Sequence, residues 1–236
     1  MPKTPIWKSI TIALTADIAE GRYDTGDKLP TEAQLAAKYG VNRHTVRRAL
    51  AEMSDQGLVH ARRGAGVFVA SKPTDYPIGR RVRFHQNISR GGQTPAKVVL
   101  HVETRACDAR EAEALDLDQG EMVHVYDGLS LADQQPIALF QSVFPAERMP
   151  ELPKALEEET SVTSALRRCG VTDYTRLYTR ITAKHANATH ALHLRIAEGA
   201  PILRTVGVNV DGDGIPVEYG RTWFAGDRVT LTVGDE

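Results

Sequence analysis

Two short amphipathic segments joined by a tight turn, in PTEAQLAAKYGVNRHTVRRALAEMSDQGL, constrain the fold more than any other feature of this chain. Thr31 opens Thr-Glu-Ala-Gln, a capping box that satisfies the exposed N–H groups of a helix start. Gly40 stands where a left-handed residue ends a helix, and Asn42 is a favourable N-cap for the next one. Apolar residues then recur at helical spacing and form a buried stripe: Val46, Ala49, Leu50 and Met53. The pattern predicts helices over residues 32–39 and 43–56.

A basic hairpin follows the second helix. Short strands are predicted over residues 58–62 and 67–69, with Arg63-Gly64-Ala65-Gly66 as the turn. An apolar stripe that starts at Trp7 and ends near Gly21 predicts a further helix packed over the pair. Together these elements indicate a winged helix-turn-helix, which reads DNA. A solvated basic helix beside an ordinary hairpin is the alternative, and it is disfavoured because caps, turn, stripe and hairpin agree.

The N-terminal end of the second helix is the part of such a unit that enters a major groove. An arginine fork can bond guanine O6 and N7 together, whereas arginine, threonine and asparagine can also bond phosphate oxygens. The sequence leaves these two roles open. The predicted DNA-contacting residues are Thr31, Asn42, Arg43, His44, Thr45, Arg47, Arg48, Arg63 and Gly64.

Positive charge is concentrated in the first part of the chain. Residues 1–70 hold ten Lys and Arg against seven Asp and Glu, and the remainder holds nineteen against twenty-three, which gives net charges of +3 and −4. The length of 236 residues suffices for two small domains with separate cores. We expect a DNA-binding domain over 1–70, a polar, proline-punctuated linker over 71–78, and a second domain over 79–236.

Composition and spacing disfavour several classes of protein. No apolar run approaches membrane-spanning length and no charged-then-apolar leader opens the chain, so a cytoplasmic protein without membrane contact is expected. Cys107 and Cys169 lack metal-like spacing and are expected to be reduced thiols. His190 and His193 can share a helix face but have no nearby Cys or acidic ligand, so neither a metal nor a cofactor is expected. No nucleophile and base form a recognisable motif, and an enzyme is not expected.

The second domain contains an internal repeat with an offset of about 79 residues. One copy starts at Ala112 and reads AEALDLDQGEMVHVYDGLSLADQQPIALFQSVF, and the other starts at Ala191 and reads ALHLRIAEGAPILRTVGVNVDGDGIPVEYGRTWF. Six aligned apolar, Gly or Pro positions favour duplication over chance similarity. Each copy is predicted to form a short helix, a turn and a β-hairpin, so that two copies give one largely antiparallel sheet with helices on one face.

A duplicated scaffold places a cleft between its halves, where side chains from both can converge on a small ligand. The arginines of Arg80-Arg81-Val82-Arg83 suit a phosphate or phosphonate oxyanion, although a solvated basic face or extra contacts with the DNA backbone remain alternatives. The helix start at Thr160-Ser161-Val162-Thr163 adds N–H and hydroxyl donors, unless Ser161 is only a cap. In the last hairpin Tyr219 and Arg221 share one face and Glu218 projects from the other.

The pattern GDKLPTEAQLAAKYGVNRHTVRRAL and the glycine-rich wing resemble the GntR family of bacterial transcription regulators. The closing PVEYGRTWFAGDRVTLTV resembles the end of the UTRA effector domain of the HutC subgroup, and DYPIGRRVRFHQNI and TRITAKHA are most similar to its phosphonate-metabolism members. The resemblance implies an α+β protein: a winged helix-turn-helix followed by a chorismate-lyase-like domain with a mostly antiparallel sheet. It also implies a ligand-responsive repressor that binds double-stranded operator DNA as a homodimer and binds an anionic effector, phosphonate or phosphate-like. Urocanate or a sugar phosphate is the alternative effector.

This chain departs from the resemblance at specific positions. Amino-sugar-responsive members carry an Arg-x-Arg pair where this chain has Gly128 and Ser130, and an acid where it has Phe140. The charge of an anionic ligand is then met elsewhere, whereas Glu218 matches the ligand-facing acid of the family. Ala33 stands where the family often has a basic residue, which removes one expected DNA-backbone contact. The predicted effector-binding residues are Arg80, Arg83, Asn87, Ser130, Ser161, Thr163, Arg180, Glu218 and Arg221.

Overall fold

The computed structural model describes residues 5–62, 64–70, 73–81, 83–159 and 161–233. The chain divides into two compact units, Met1–Lys72 and Pro73–Glu236. The structure differs from the expected linker over 71–78, because Thr74–Pro77 is a strand of the second unit that pairs in parallel with Val229–Thr232. Residues 71 and 72 lie outside the described residues.

The first unit contains three helices and a two-stranded antiparallel hairpin. They are α1 (Ile6–Ala19), α2 (Glu32–Tyr39), α3 (Arg43–Asp55), β1 (Val59–Arg62) and β2 (Gly66–Val69). The predicted helices and hairpin are therefore confirmed, with bounds that shift by one or two residues.

The predicted local signals form as hydrogen bonds and backbone angles. The Thr31 hydroxyl and the Gln34 amide make a reciprocal capping box at the start of α2, and Gly40 ends that helix at φ +63°. Asn42 Oδ1 accepts from the backbone N–H of Thr45 at 2.9 Å. The apolar stripe of α3 is buried with residues of α1 and of the hairpin, including Leu14 and Val69. The stripe thus turns the polar face of α3 outward.

The second unit is built on a six-stranded antiparallel sheet with strand order β4-β5-β6-β9-β8-β7. A separate parallel pair joins β3 to β10. The elements are β3 (Thr74–Pro77), α4 (Phe84–Arg90), β4 (Pro95–Ala106), α5 (Ala109–Leu115), β5 (Met122–Ala132), β6 (Gln135–Pro145), α6 (Leu152–Glu158), α7 (Val162–Arg168), β7 (Thr175–His185), α8 (Ala188–Leu194), β8 (Pro201–Val210), β9 (Pro216–Ala225) and β10 (Val229–Thr232).

The internal repeat is present in the backbone, and it is longer than the sequence showed. Each copy has a strand, a helix and a hairpin: β4-α5-β5-β6 in copy one and β7-α8-β8-β9 in copy two. Asp108 and Asn187, 79 positions apart, each open a helix with a capping box. Asp116 and Arg195, with the same offset, end those helices at φ 55° and 54°. The copies meet at β6 and β9, which leaves β4 and β7 as the two edges of the sheet.

The two faces of the sheet have different coverings. On one face the helices of the repeat, α5 and α8, pack on apolar residues such as Val143 and Leu139. On the other face α6 and α7 pack against Tyr126, Phe140 and Phe144. Alternate residues of β6 thus face opposite sides, as strand geometry requires. The second face contains the polar cavity described below.

Candidate DNA-binding surface and ligand cavity

The N-terminal end of α3 presents a cluster of exposed polar and basic side chains. Arg43, His44 and Arg47 are exposed. Thr45 is partly buried, and both its backbone N–H and its hydroxyl donate to Asn42 Oδ1, at 2.9 and 3.0 Å. The cap therefore fixes the first turn of α3, from which the exposed side chains project.

Arg47 is held by α2. Its Nε and Nη2 donate to the two carboxylate oxygens of Glu32 at 3.0 and 2.8 Å, and this bond lowers the pKa of Glu32. Such a bidentate pair orients the guanidinium fork relative to the rest of the surface. Arg47 is thus placed on the exposed surface of α3 with a fixed direction.

Two predicted DNA contacts have other partners in the structure. The Arg48 guanidinium lies over the Trp7 ring, 4.7 Å from its centroid, so Arg48 packs on α1 and not on the N-terminal end of α3. The hydroxyl and N–H of Thr31 are both used in the capping box. Gly64 is exposed in the hairpin turn at φ +74°, whereas Arg63 lies outside the described residues.

The second unit contains a cavity of about 310 Å³ on the sheet face opposite α5 and α8. It receives residues from both copies of the repeat, from α4 and its N-terminal side, and from the start of α7. Five of the predicted effector residues line it: Arg83, Ser130, Ser161, Thr163 and Glu218. The structure thus brings together residues separated by as many as 135 positions in the sequence.

Four other predicted effector residues do not line this cavity. Arg80 is exposed, and Asn87 is buried with its amide donating to the Pro77 carbonyl at 3.2 Å. The Arg180 guanidinium is exposed and lies over the Tyr178 ring, at 5.0 Å. Thr179 lines the cavity, and Arg180 follows it directly on β7. Because side chains alternate along a strand, Arg180 points to the opposite face.

Arg221 lies on the other face of the sheet. Its Nη2 donates to Gln141 and is 3.4 Å from Glu111 of α5. Glu218 lines the cavity. The sequence thus predicted correctly that Glu218 and Arg221 lie on opposite faces of β9, but it left open which face lines the cavity. Arg221 lies on the helix-covered face because it is a counter-ion of Glu111, which is fully buried there.

The cavity is strongly cationic. Arg83, Lys97, Arg167 and Arg176 line it, and Glu218 is its only carboxylate among the described residues, which gives four positive charges against one negative. Lys97, Arg167 and Arg176 were not predicted. The repeat indicates two of them, because Lys97 and Arg176 are equivalent positions 79 residues apart. Lys97 on β4 pairs with Ser130, and Arg176 on β7 pairs with Asn209, the residue 79 positions after Ser130.

Several polar groups of the cavity have fixed partners. Glu218 accepts from Ser142 Oγ and from Asn209 Nδ2, both at 2.6 Å. Thr163 Oγ1 and the Tyr174 hydroxyl are 2.8 Å apart, and burial raises the pKa of Tyr174. These bonds hold Glu218 and the start of α7 in place around the open space.

Other donors of the cavity have no partner. Nε of Arg83, Nε of Arg176 and Oγ1 of Thr179 are buried without a hydrogen bond to any described residue. Arg83 also donates from Nη2 to Asp173 at 2.7 Å, so its charge is only partly balanced. Buried donors of this kind are costly unless something bonds them, and an oxyanion in the cavity would do so.

Comparison with known proteins agrees with this architecture. The UTRA domain model matches residues 90–230, and the model described as bacterial regulatory proteins, gntR family, matches residues 8–69. An uncharacterized HTH-type transcriptional regulator of Rhizobium meliloti is 37% identical over 97% of this chain and 94% of its own length. The chain belongs to the GntR family. It is a DNA-binding transcriptional regulator with a UTRA effector-binding domain.

Further relatives of this GntR regulator are also regulators and not enzymes. The probable transcriptional regulator PhnF of Escherichia coli is 33% identical over 89% of this chain and 88% of its own length. The crystal structure of PhnF from Mycobacterium smegmatis superposes with a TM-score of 0.67 at 25% identity, covering 96% of this chain and 99% of that one.

The departure of this GntR regulator at Gly128 has a steric cause. A Cβ at Gly128 would lie 2.6 Å from the Phe140 ring and 2.8 Å from the Val98 carbonyl oxygen. The ring of Phe140 therefore occupies the space that a side chain at position 128 would need. The acid and arginine that other members are expected to carry here are replaced by a ring packed on a glycine.

Other features of this GntR regulator concern metals and membranes. Within the described ranges, no group of three or more His, Cys, Asp and Glu side chains is arranged to hold a metal ion. No described helix combines the length and the hydropathy needed to span a bilayer. Cys107 and Cys169 are free thiols, as predicted.

Proposed function

We propose that this regulator is a homodimeric repressor whose affinity for operator DNA falls when the cavity of its second unit binds a phosphonate or phosphate-like anion. The cationic cavity with unpartnered buried donors carries this proposal. Arg83 and Arg176 offer guanidinium forks, which match the tetrahedral oxygens of such an anion. Ser161, whose hydroxyl caps α7, and Thr163, whose hydroxyl bonds Tyr174, also line the cavity.

A sugar phosphate is the second candidate effector. Relatives that are 25–26% identical include a probable fructoselysine utilization operon repressor and a mannosyl-D-glycerate transport/metabolism system repressor, both of Escherichia coli. Phe140 and Gly128 disfavour this candidate, because the cavity has an aromatic ring where an acid and arginines are expected to bind a sugar phosphate. A smaller phosphonate needs no such groups.

The effector proposal is tested by thermal unfolding of the full-length protein with methylphosphonate, inorganic phosphate, glucosamine 6-phosphate and urocanate. A ligand that binds the folded state raises the melting temperature. We expect stabilisation by methylphosphonate, its loss in Arg83→Ala, and its retention in Arg180→Ala, the matched control outside the cavity. Stabilisation by none of the anions, or equal losses in both variants, would refute the proposal.

The proposed switch acts through the DNA-binding unit. A homodimer presents two α3 helices to successive major grooves, roughly 34 Å apart, on a palindromic operator. A ligand changes operator affinity only by binding the two arrangements of the dimer with different affinity. Repression relieved by ligand is the sign that we propose.

Arg47 is the proposed base or phosphate contact with the largest effect. Arg47→Ala should weaken operator binding by tenfold or more per half-site, since a bidentate contact contributes roughly 1–3 kcal/mol of discrimination. Fluorescence anisotropy with a labelled operator measures this loss. Arg22→Ala is the control, because Arg22 bonds Asp17 and Glu20 away from α3. Wild-type affinity in Arg47→Ala would rule out our placement of the DNA contact.

A further inference from the structure

The cavity has two positively charged ends. One end surrounds Tyr174: the Arg83 guanidinium lies 5.3 Å from the ring centroid, and Thr163 bonds the hydroxyl. Arg176, which follows Tyr174 by two residues, also lines the cavity. The other end contains Lys97 on the opposite edge strand. A ligand bound by Arg83 and Arg176 leaves Lys97 to be explained.

Lys97 is surrounded by aromatic rings. Its Nζ lies 5.1 Å from the Phe140 centroid, 5.9 Å from that of Tyr126 and 6.0 Å from that of Phe84. No hydrogen bond or ion pair joins Nζ to a described residue. Aromatic faces stabilise a cation without neutralising it, so the charge of Lys97 remains available to an anion. Burial lowers the pKa of Lys97 to about 8, and the charge of Glu218 offsets only part of this effect.

Lys97 and Arg176 are equivalent residues of the two copies, and they approach the cavity from opposite sides. Their strands, β4 and β7, are the edges of the six-stranded sheet. Glu218 is on β9, which lies between β4 and β7 in the strand order. Its two carboxylate oxygens accept hydrogen bonds from Ser142 and Asn209. A ligand group bonded to Lys97 therefore meets the opposite edge of the sheet from one bonded to Arg176.

We propose that Lys97 binds a second acidic group of the effector, so that the preferred ligand is an organic anion with two separated acids. Arg83 and Arg176 hold the phosphonate, and Lys97 holds a carboxylate or second oxyanion at the other end. This inference rests on the proposed function. The volume agrees with it, because 310 Å³ is about ten times the ~30 Å³ share of one water molecule and exceeds what a bare phosphate fills.

The inference is tested by calorimetric titration of the full-length protein with three probes that share a phosphonate. Phosphonoacetate carries a second acid, methylphosphonate carries none, and 2-aminoethylphosphonate carries an ammonium group. We expect phosphonoacetate to bind about tenfold or more tightly than methylphosphonate, since a charge-assisted bond is added. The aminophosphonate should bind no more tightly than methylphosphonate, because Lys97 repels its ammonium group.

Variants at Lys97 separate this role from packing. Lys97→Met and Lys97→Gln should lose the preference for phosphonoacetate, because they weaken phosphonoacetate binding much more than methylphosphonate binding, and Lys97→Arg should keep the preference. Lys184→Met, on the exposed part of β7, is the matched control. The preference should respond to charge at position 97 and not to volume.

Different failures have different meanings. Equal affinity of the wild type for phosphonoacetate and methylphosphonate would overturn the role of Lys97 and leave the proposed function standing. An equal loss of both affinities in Lys97→Met and Lys97→Gln would overturn it in the same way. Binding of none of the probes would overturn both proposals.

Discussion

The two copies of the repeat follow the same backbone path but use equivalent positions for different purposes. At the third residue of the repeated helix, copy one has Glu111 and copy two has His190. Both side chains accept the same capping-box bond. Glu111 in addition is fully buried and bonds Arg105 at 2.6 and 2.8 Å, whereas His190 packs on the Trp223 ring at 5.4 Å. Duplication has preserved the bond that the backbone needs and left the rest of the side chain free to diverge.

The cavity face shows a second divergence. In copy one the Phe140 ring covers Gly128. In copy two the residue equivalent to Phe140 is Gly220, and the space over Gly207 is filled by the Arg176 side chain. A ring in one copy has thus been exchanged for a guanidinium in the other. The two copies therefore share a nearly symmetric backbone, and the cavity is asymmetric because equivalent positions carry different side chains.

The largest expected effect comes from Glu111. Glu111→Gln should destabilise the second unit by about 3 kcal/mol, because it removes one partner of a buried ion pair, leaves Arg221 without this carboxylate and leaves Arg105 with Glu103. His190→Gln, the equivalent change in copy two, should cost less than about 1 kcal/mol. Urea unfolding measures both. Equal losses would show that the ion cluster adds nothing to the stability of this position, since glutamine can keep the capping bond in both variants.

The pH dependence of this difference has a definite sign. Bonds from Arg105 lower the pKa of Glu111 below its ordinary 4.5. As the pH falls, the unfolded chain takes up the proton first, so the stability contributed by Glu111 is complete above pH 4.5 and is lost below it. The gap between wild type and Glu111→Gln should therefore narrow below pH 4.5. A gap that stays constant down to pH 3 would contradict the cause given for the shift.

The DNA-binding unit was predictable from local sequence, and the cavity was predictable only in part. Caps, glycines and apolar spacing at Thr31, Gly40 and Asn42 act over four or five residues, and the structure has α2 and α3 within one residue of the prediction. The strand Thr74–Pro77 was missed because its partner, Val229–Thr232, is about 155 residues away.

The cavity residues depend on pairing across the sheet. Which face of β9 lines the cavity follows from α5 covering the other face, and neither local alternation nor charge density contains that information. Arginine density favoured Arg80, which is exposed, over Arg176, which lies in an otherwise ordinary strand. Lys97 was missed because it, too, is a single cation in an otherwise ordinary strand. Its equivalence with Arg176 follows from the 79-residue offset once the repeat is extended to include β4 and β7.

A glycine substitution tests the second divergence. A Cβ at Gly207 would lie 2.2 Å from Arg176 Nη1 and 2.6 Å from the Tyr178 carbonyl oxygen, whereas at Gly220 the nearest atom is 3.7 Å away. Gly207→Ala should cost about 1–3 kcal/mol through overpacking and should weaken methylphosphonate binding by displacing Arg176. Gly220→Ala should change stability by less than about 0.5 kcal/mol. Similar unfolding curves for the two variants would show that Arg176 is not confined by Gly207.

The smallest effect compares the two equivalent cations directly. Without ligand, Lys97→Met should raise stability by about 1 kcal/mol at pH 7, a value reduced for the partial exposure of the side chain. The folded-state pKa of about 8 lies below the ordinary 10.5, so between these values the unfolded chain binds more protons and wild-type stability rises with pH. The advantage of Lys97→Met is therefore largest below pH 8 and disappears near pH 10.5. Arg176→Met should show no such dependence, because arginine stays protonated throughout. Thermal unfolding from pH 7 to pH 10 measures the difference, and a pH-independent gain in Lys97→Met would mean that packing, not an uncompensated charge, distinguishes this end of the cavity.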